Sequence, residues 1–417
     1  MTRKGFLSAG HLPTLVAALL YFDVSFMTWV LLGPLAPFLR DELHLTATGQ
    51  GLLTAIPLLG GSLFRPLLGA LADRIGGRAV GLIGLALTCV PLVIGWKFAH
   101  APAHFYGVGL LLGVAGASFA VALPLAGTWY PPQYQGLAMG IAGAGNSGTL
   151  LATLFAPRIA AAYGWPSAFG LALAPVLAVF VVFAVFAKDS PARPAPASRR
   201  DYAALLREPD TVWLSFLYSL TFGGFVGFAS FLTIFFREQY QLSPVKAGDF
   251  ATIVVVSGSF LRPIGGWLAD RLGGYRLLVW LLGGFAVCLV AVAAGPPVAG
   301  AVVILFVGMG LLGMGNGAVF QVVPQRFPDS MGVMTGIVGA AGGLGGFFLP
   351  TLLGVTKDLT GGYGVGLTVC ATVFAVGTVL LLELGIHWSR RWKPSMLHRA
   401  GVFAYRDAGS VAGEPVV

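Results

Sequence analysis

The sequence predicts an all-α membrane protein with twelve transmembrane helices in two pseudo-symmetric six-helix bundles. Three observations lead to this fold class: an apolar composition, twelve long apolar segments, and a motif that occurs once in each half. Of the 417 residues, 57% are hydrophobic and 10% are charged, whereas about a quarter of the residues in a soluble domain are charged. The mean hydropathy is +0.85. A membrane β-barrel would show short alternating strands, so the long continuous apolar runs indicate helices.

Each predicted span is an apolar run of about 20 residues between charged or Pro/Gly-rich breaks. In chain order the spans lie near 12–38, 48–72, 78–97, 104–128, 135–160, 167–187, 211–236, 247–270, 276–295, 298–322, 331–356 and 365–387. The first run is longer than the apolar core of a signal peptide, so we expect it to be retained. The sequence shows no catalytic set and no metal-ligand spacing, so we expect no enzymatic activity, no metal and no cofactor.

The positive charges predict which way the chain crosses the membrane. An even number of spans places both termini on one side, and most lysines and arginines belong to that side. The opposite loops carry only Arg40, Lys97, Arg158, Arg237, Lys246 and Lys357. Because positively charged loops stay in the cytoplasm, we expect a protein of the cytoplasmic (inner) membrane with both termini cytoplasmic. The same bias explains the net charge of +9, so we expect no nucleic-acid partner.

A polar segment divides the chain into two sets of six spans. Residues 188–210 are rich in proline, alanine and arginine, a composition that predicts a cytoplasmic linker, semi-stiff where proline is dense. This organisation gives an N-terminal bundle at 1–187 and a C-terminal bundle at 211–393. We expect the polar tail at 394–417 to be cytoplasmic and poorly ordered.

The two halves repeat each other in sequence. FRPLLGALADRIGG at 64–77 matches LRPIGGWLADRLGG at 261–274, and GIAGA at 140–144 matches GIVGA at 336–340. Internal repeats of this kind are typical of secondary transporters, whose substrate site lies between the repeats near the membrane midplane. The sequence therefore predicts a transporter, which we expect to be monomeric, with its site between the two bundles.

Three ionisable side chains lie deep within predicted spans: Asp23, Arg65 and Arg262. Because a charge at the centre of a span costs about 2.5–3.5 kcal/mol on insertion scales, such residues usually face a polar cavity and serve function. The two arginines are repeat equivalents at similar predicted depth, so they could face each other. Arginine is always charged and offers a planar fork of donors. The pair predicts a site for a small planar oxyanion; the alternative is a structural carboxylate partner for each arginine.

Glycine-rich segments in the fifth and eleventh spans support this interpretation. AGAGNSG occupies 142–148 and GAAGGLGGFF occupies 339–348. Small residues let helices approach closely and let a small ligand reach the backbone N–H groups. Asn316 and Gln321 in the tenth span are further polar candidates.

Two loops, GALADRIGGR at 69–78 and GWLADRLGGYR at 266–276, resemble the signature loop of the major facilitator superfamily. Their aspartates lie at helix ends, where they could form ties that break when the conformation changes. The gating candidates of this motif are Asp73, Arg74, Asp270 and Arg271. With the paired arginines and the glycine-rich spans, the whole chain resembles the nitrate/nitrite porter family of that superfamily.

This resemblance implies the major facilitator fold, a rocking-bundle mechanism, and nitrate and nitrite as the transported partners. It also implies the residues of the site. Arg65 and Arg262 match the family's substrate-clamping arginines, and Asn146 matches the polar residue of its fifth-helix signature. Aromatic positions that line the family's site correspond to Phe119, Tyr218 and Phe222.

Asp23 departs from family members that exchange nitrate for nitrite, because such exchange needs no titratable group. Moving one anion inward against an inside-negative potential costs about 2.3 kcal/mol per 100 mV, and a co-transported proton offsets this cost. We therefore expect nitrate/proton symport with Asp23 as the proton site; the structural alternative is that Asp23 simply pairs with an arginine. Nitrate/nitrite antiport and transport of another small anion are the functional alternatives.

Other classes of function fit the sequence less well. An organic-anion or sugar-phosphate transporter would show more Lys or His at depth, and a drug/proton antiporter is opposed by the paired arginines. A membrane enzyme or nutrient sensor would need a catalytic set or an output domain.

Overall fold

A computed structural model describes residues 5–191, 199–327 and 331–402. These residues form helices and no strand, and eleven of the helical segments are long and apolar enough to cross a membrane. The proline-rich part of the predicted linker, 192–198, and the tail beyond residue 402 lie outside the described residues. The described part of the linker carries a short helix at Arg199–Arg207.

The N-terminal half begins with the short helix Phe6–Ala9 and continues with the first six spans. Their helices are Leu12–Trp29 with Leu32–Leu43, Ala47–Ile75, Gly77–Lys97, Pro102–Gly116 with Phe119–Gly127, Pro132–Gly143 with Gly148–Tyr163, and Trp165–Phe186. Helices joined by "with" form one span that changes direction or pitch at a short break.

The C-terminal half contains the seventh to twelfth spans and ends with a short helix, Pro394–Ala400. Its spans are Pro209–Gln239, Pro244–Phe260 with Arg262–Leu272, Gly274–Ala293, Val298–Arg326, Met331–Thr360 and Gly364–Arg391. The break in the eighth span has a local cause, because Pro263 follows Arg262 directly. A proline favours the first turn of a helix and removes a backbone donor from the turn before it.

The fifth span is not among the eleven because a 3₁₀ turn, Ala144–Ser147, divides it. Its two ends nevertheless reach opposite ends of the bundle. Tyr130, just before the span, stacks on Phe6 with ring centroids 4.8 Å apart, whereas Trp165, just after it, donates a hydrogen bond to Glu42. The described part of the chain therefore crosses the bundle twelve times, as the sequence predicts.

Both ends of the described chain lie at one end of the bundle, here called the terminal end. The backbone N–H of Lys188, after the sixth span, donates to the Thr14 hydroxyl at 3.0 Å. Gln321 Nε2, in the tenth span, donates to the carbonyl of Arg399 at 3.0 Å. The opposite end, which contains the connections 44–46, 240–243 and 361–363, is called the distal end.

The two halves pack against each other chiefly through the second and eleventh spans. Ser62 Oγ donates to the Ala340 carbonyl at 2.8 Å, and Gly343 lies so close to Ser62 that a Cβ would collide with the hydroxyl. At the fifth and eighth spans, the hydroxyls of Thr252 and Thr153 are 2.8 Å apart. In the middle of the interface between the two halves, small residues allow close packing and side chains hydrogen-bond across it.

Polar ties join the two halves at the distal end. Arg40 pairs with Glu238, and Arg158 pairs with Asp249 at 2.6 Å. Asp358, in the eleventh span, accepts hydrogen bonds from backbone N–H groups at the start of the second span at 2.8–3.0 Å. At the terminal end the bonds of Arg78, Asp210 and Gln321 each stay within one half. The distal end is therefore closed by contacts between the halves.

Candidate functional site

Arg65, in the second span, is completely buried and bonds to the backbone of both halves. Its Nε donates to the Gly116 carbonyl at 3.0 Å, and its Nη1 donates to the Gly339 carbonyl. Gly116 ends the first helix of the fourth span, and the break that follows leaves its carbonyl without the usual helical partner. The third guanidinium nitrogen, Nη2, has no hydrogen-bond partner among the described residues.

Arg262 begins the second helix of the eighth span and is 9% exposed. Its guanidinium lies against Gly143 of the fifth span, so it reaches from the C-terminal half into the N-terminal half. The guanidinium carbon is 5.7 Å from the centre of the Phe119 ring, and that of Arg65 is 5.3 Å from the same centre. The structure therefore brings the two repeat-equivalent arginines together over one aromatic ring.

Aromatic rings line the space around the arginines. The guanidinium carbon of Arg65 is 5.1 Å from the centre of Trp29 and 5.0 Å from that of Phe222. Phe222 stacks on Tyr218 with centroids 5.1 Å apart and an angle of 7°. Tyr218 is fully buried, faces the Arg262 side chain, and packs edge-on against Phe320. The electron-rich faces of these rings attract the cationic side chains without neutralising them.

Neither arginine forms an ion pair with a carboxylate of the described chain. Arg262 Nη1, like Arg65 Nη2, is buried without a hydrogen-bond partner there. A buried charge without a counter-charge is strongly unfavourable. The site therefore combines two permanent cations with unused N–H donors, an arrangement whose chemistry suits a small anion with several acceptor atoms.

Asn146 lies in the 3₁₀ turn that divides the fifth span and is completely buried. With its amide nitrogen turned toward them, it donates to the carbonyl oxygens of Gly143 and Ala144, each at 3.2 Å. The amide thus satisfies acceptors that the helix break releases. The structure places Asn146 in the turn that adjoins Arg262. Its amide nitrogen bonds within the turn, and its amide oxygen does not take part in these two hydrogen bonds.

Asp23, in the first span, is half-buried and contacts this same turn. Its carboxylate accepts a hydrogen bond from Ser147 Oγ at 2.6 Å. Gly148 packs so tightly on the backbone of Asp23 that no Cβ would fit. Asp23 forms no ion pair with an arginine of the described chain, so the arginine-pair alternative does not describe this conformation.

The two copies of the signature loop have different surroundings at the terminal end. Asp73 lies near Tyr202 of the linker helix; burial, and then the Asp73 carboxylate, raise the pKa of Tyr202. Arg74, next to Asp73, also has an interaction partner. Asp270 is exposed and has no hydrogen-bond or ion-pair partner in the described chain, and Arg271 stacks on Trp267 at 3.9 Å.

Sequence reasoning missed several groups of the site. Trp29 and Phe320 do not stand out among the many aromatic residues, and the Gly116 and Gly339 carbonyls carry no side-chain signal.

Of the two polar candidates in the tenth span, Asn316 is completely buried, with both amide atoms unpartnered in the described chain, one helical turn before Phe320. The other polar candidate of the tenth span, Gln321, binds backbone groups at the terminal end instead of approaching the arginines.

A family model described as the Major Facilitator Superfamily matches residues 17–350 of the chain. Among solved structures, the chain is similar to the xylose transporter XylE from E. coli in a partially occluded inward open conformation. The TM-score is 0.74 at 14% sequence identity, and the match covers 90% of this chain and 98% of that one. At this identity the similarity shows the fold alone, and it confirms the predicted fold class.

Several curated proteins are similar over most of their length. The "Probable nitrate/nitrite transporter NarK2" of Mycobacterium tuberculosis is 38% identical over 369 residues, which are 86% of this chain and 92% of that protein. The "Nitrite extrusion protein" of Bacillus subtilis is 33% identical, covering 88% and 93%. The "Probable nitrate/nitrite antiporter NarK1" of Thermus thermophilus is 29% identical, covering 84% and 86%. The chain belongs to the Major Facilitator Superfamily and, within it, to the nitrate/nitrite porter family, which comprises transporters and not enzymes.

Proposed function

We propose that the protein is a secondary transporter that carries nitrate, and also nitrite, across the cytoplasmic membrane. The observation that carries this proposal is the meeting of Arg65 and Arg262 over Phe119, with no carboxylate of the described chain to neutralise them. The names of the similar proteins support the choice of ion. The termini lie in the cytoplasm in this proposal, so the distal end faces the outside.

The shape and charge of nitrate match the groups around the arginines. Nitrate is flat and monovalent, and its charge is spread over three oxygens. Guanidinium forks bind such oxygens through charge-assisted hydrogen bonds at the edge of the ion. The ring faces of Phe119, Phe222 and Tyr218 offer contacts to its plane. Sulfate and phosphate esters carry more charge and are not planar, so this set of groups suits them less.

The arginines also connect binding to the rocking-bundle movement of the halves. Each arginine contacts the opposite half: Arg65 through the Gly339 carbonyl, and Arg262 through Gly143 and Phe119. Two buried like charges repel each other. A bound anion attracts both arginines, and these two attractions oppose their mutual repulsion. Substrate therefore favours the arrangement in which the halves close around it, and an unloaded protein closes less readily.

Proton symport is the coupling that we propose, with Asp23 as the proton site. The turn Ala144–Ser147 and the residue before it support this assignment, because together they contact both Arg262 and Asp23. Gly143, just before the turn, lies against Arg262, and Ser147, at its end, donates to the Asp23 carboxylate. Protonation removes the charge of the Asp23 carboxylate and weakens the hydrogen bond that Ser147 of this turn donates to it. The protonation state is thereby linked to the position of the turn, and through Gly143 to the substrate arginine.

Nitrate/nitrite antiport is the second candidate. It is favoured by the name of the similar Thermus thermophilus protein and by the lack of direct contact between Asp23 and either arginine in the described chain. Exchange of two monovalent anions moves no net charge, so it needs no proton. Another small anion as substrate is the third candidate.

The test is uptake of labelled nitrate by purified protein in proteoliposomes. We expect Arg65→Gln and Arg262→Gln each to reduce uptake by about 100-fold, because removing one partner of a buried, hydrogen-bonded charge pair, here the guanidinium that binds the anion, commonly costs about 2–5 kcal/mol. The matched control is Arg207→Gln, which removes an exposed arginine of the linker helix and should leave uptake unchanged. Uptake by correctly folded Arg65→Gln and Arg262→Gln proteins at the control rate would overturn the proposal.

A further inference from the structure

A cavity lies between the halves at the distal end, and neither of the paired arginines lines it. Its volume is about 310 Å³, and it is partly open to the surroundings. The lining residues that matter for its chemistry are Arg40, Asp41, Gln50, Arg237, Glu238 and Lys357. They come from the first, second, seventh and eleventh spans, so both halves contribute.

The cavity wall carries more positive than negative charge. Glu238 is nearly buried and is shared by Arg40 and Lys357. The remaining carboxylate, Asp41, is 3.6 Å from Arg237, and its side chain is 68% exposed. Among the lining residues, three cationic side chains thus face two carboxylates, of which one is largely exposed. Asp358, outside the lining, accepts hydrogen bonds from backbone N–H groups of the second span. A concave surface whose own lining has one excess positive charge attracts anions.

Gln50 is the second observation that points to a ligand. It is 1% exposed, and it lines the cavity from the second span. Neither its amide oxygen nor its amide nitrogen has a hydrogen-bond partner within the described ranges. Buried polar groups are nearly always hydrogen-bonded. The amide N–H groups of Gln50 therefore offer donors to a ligand that carries acceptor oxygens.

We propose that this cavity is a second binding site for a small oxyanion, distinct from the site at Arg65 and Arg262. It binds the anion through Gln50 and the cationic side chains of Arg237 and Arg40. The inference rests on the proposed function in two respects: nitrate is the anion of interest, and the distal end faces the outside. A site there holds substrate at the entrance while the ties between the halves keep that end closed.

The charges of the lining residues and the ties between the halves argue against other classes of ligand. A metal cation would meet three positive side chains, and its best carboxylate ligand, Glu238, is already bound by two of them and by the Tyr363 hydroxyl at 2.6 Å. A large organic anion would have to displace the ties that close the distal end. A small oxyanion needs neither change.

The first arm of the test measures initial nitrate uptake by proteoliposomes at increasing external nitrate. Gln50→Leu removes the amide at similar volume, and Arg237→Gln removes a cation that is about a third exposed. We expect each to raise KM for external nitrate about five- to tenfold, with kcat unchanged in Gln50→Leu, which breaks no contact between the halves. The matched control is Thr54→Val, one turn along the same helix, whose hydroxyl bonds to carbonyl groups of that helix. A KM within twofold of wild type in both variants would overturn the proposal.

The second arm separates this proposal from the identity of the transported ion. Anion binding to purified Arg65→Gln protein is titrated calorimetrically with nitrate, nitrite, formate and chloride. Residual binding that disappears in the Arg65→Gln/Gln50→Leu double variant supports the second site, whichever ion the central site carries. Arg65→Gln protein that binds none of the four ions contradicts it. Absence of nitrate uptake by the wild-type protein, by contrast, contradicts the proposed function. The calorimetric comparison of Arg65→Gln with the double variant still tests the second site in that case.

Discussion

The fifth and eleventh spans are repeat equivalents in sequence, yet they fold differently. GIAGA at 140–144 and GIVGA at 336–340 align, but the fifth span breaks at Ala144–Ser147 while the eleventh is one helix from Met331 to Thr360. The eleventh span has more glycines after the shared motif than the fifth. Glycine content alone therefore does not break the helix.

The difference between the two spans lies in polar side chains and their partners. The aligned positions hold Asn146 and Ser147 in the fifth span, and Gly342 and Gly343 in the eleventh. Asn146 satisfies carbonyls that the break releases, and Ser147 bonds to Asp23. Asparagine and serine compete with the helix for backbone hydrogen bonds, which glycine cannot do. The repeat supplies a symmetric pair of arginines, and the departure from the repeat supplies a polar turn beside one of them.

The largest effect is expected where the turn meets the first span. Gly148→Ala introduces a Cβ that would lie 2.8 Å from the backbone nitrogen of Met27 and still closer to the Asp23 carbonyl. Backbone atoms cannot yield easily, and overpacking of this kind costs about 1–3 kcal/mol or more. We expect loss of transport and a fall in Tm of roughly 2–5 °C, measured by nanoscale fluorimetry in detergent.

The control for this substitution is Gly140→Ala, in the same span. A Cβ at Gly140 meets no atom within 4 Å, and alanine favours a helix over glycine by about 1 kcal/mol. This variant should be at least as stable as wild type and should transport normally. If Gly148→Ala is as stable and as active as Gly140→Ala, the close packing of the turn on Asp23 is not required.

A smaller and more selective effect is expected from Asp23→Asn. The amide keeps the size of the side chain but cannot take up a proton, so the proposed symport loses its coupling group. We expect nitrate accumulation driven by a pH gradient to fall at least tenfold, while exchange of labelled for unlabelled nitrate stays within about threefold of wild type. Both are measured in proteoliposomes.

Glu383→Gln is the matched control for Asp23→Asn, because it neutralises another carboxylate within a span. Glu383 is exposed on the twelfth span, away from the turn, so the gradient-driven accumulation should not change. Proton-driven uptake that persists unchanged in Asp23→Asn would eliminate the coupling role and favour nitrate/nitrite antiport.

Much of the fold follows from local sequence, and the structure confirms the predicted fold class. Long apolar runs specify spans wherever they occur, and the repeated motif indicates two bundles. Arg65 and Arg262 stood out because a charged side chain in an apolar run is rare whatever its surroundings. The same reasoning singled out Asp23. Each of these signals can be read without knowing which helices touch.

The rest depends on contacts between distant parts of the chain. The Gly339 carbonyl that Arg65 uses lies in the other half, and no side chain marks it. In the sequence, Glu238 and Gln50 are ordinary polar residues near span ends, because the partners of Glu238 and the cavity beside Gln50 form only when the halves pack. The break at Ala144–Ser147 was hidden in a glycine-rich run that also suits a straight helix, as the eleventh span demonstrates.

The central claim is that Arg65 and Arg262 act together on one anion, and a double-mutant cycle tests it most directly. Nitrate dissociation constants are measured calorimetrically for wild type, Arg65→Lys, Arg262→Lys and the double variant. Residues that share one ligand show interaction energies of about 0.5–3 kcal/mol, whereas distant independent sites add within about 0.3–0.5 kcal/mol. We predict an interaction energy above about 1 kcal/mol. Strictly additive effects, or unchanged nitrate affinity in both single variants, would contradict the account.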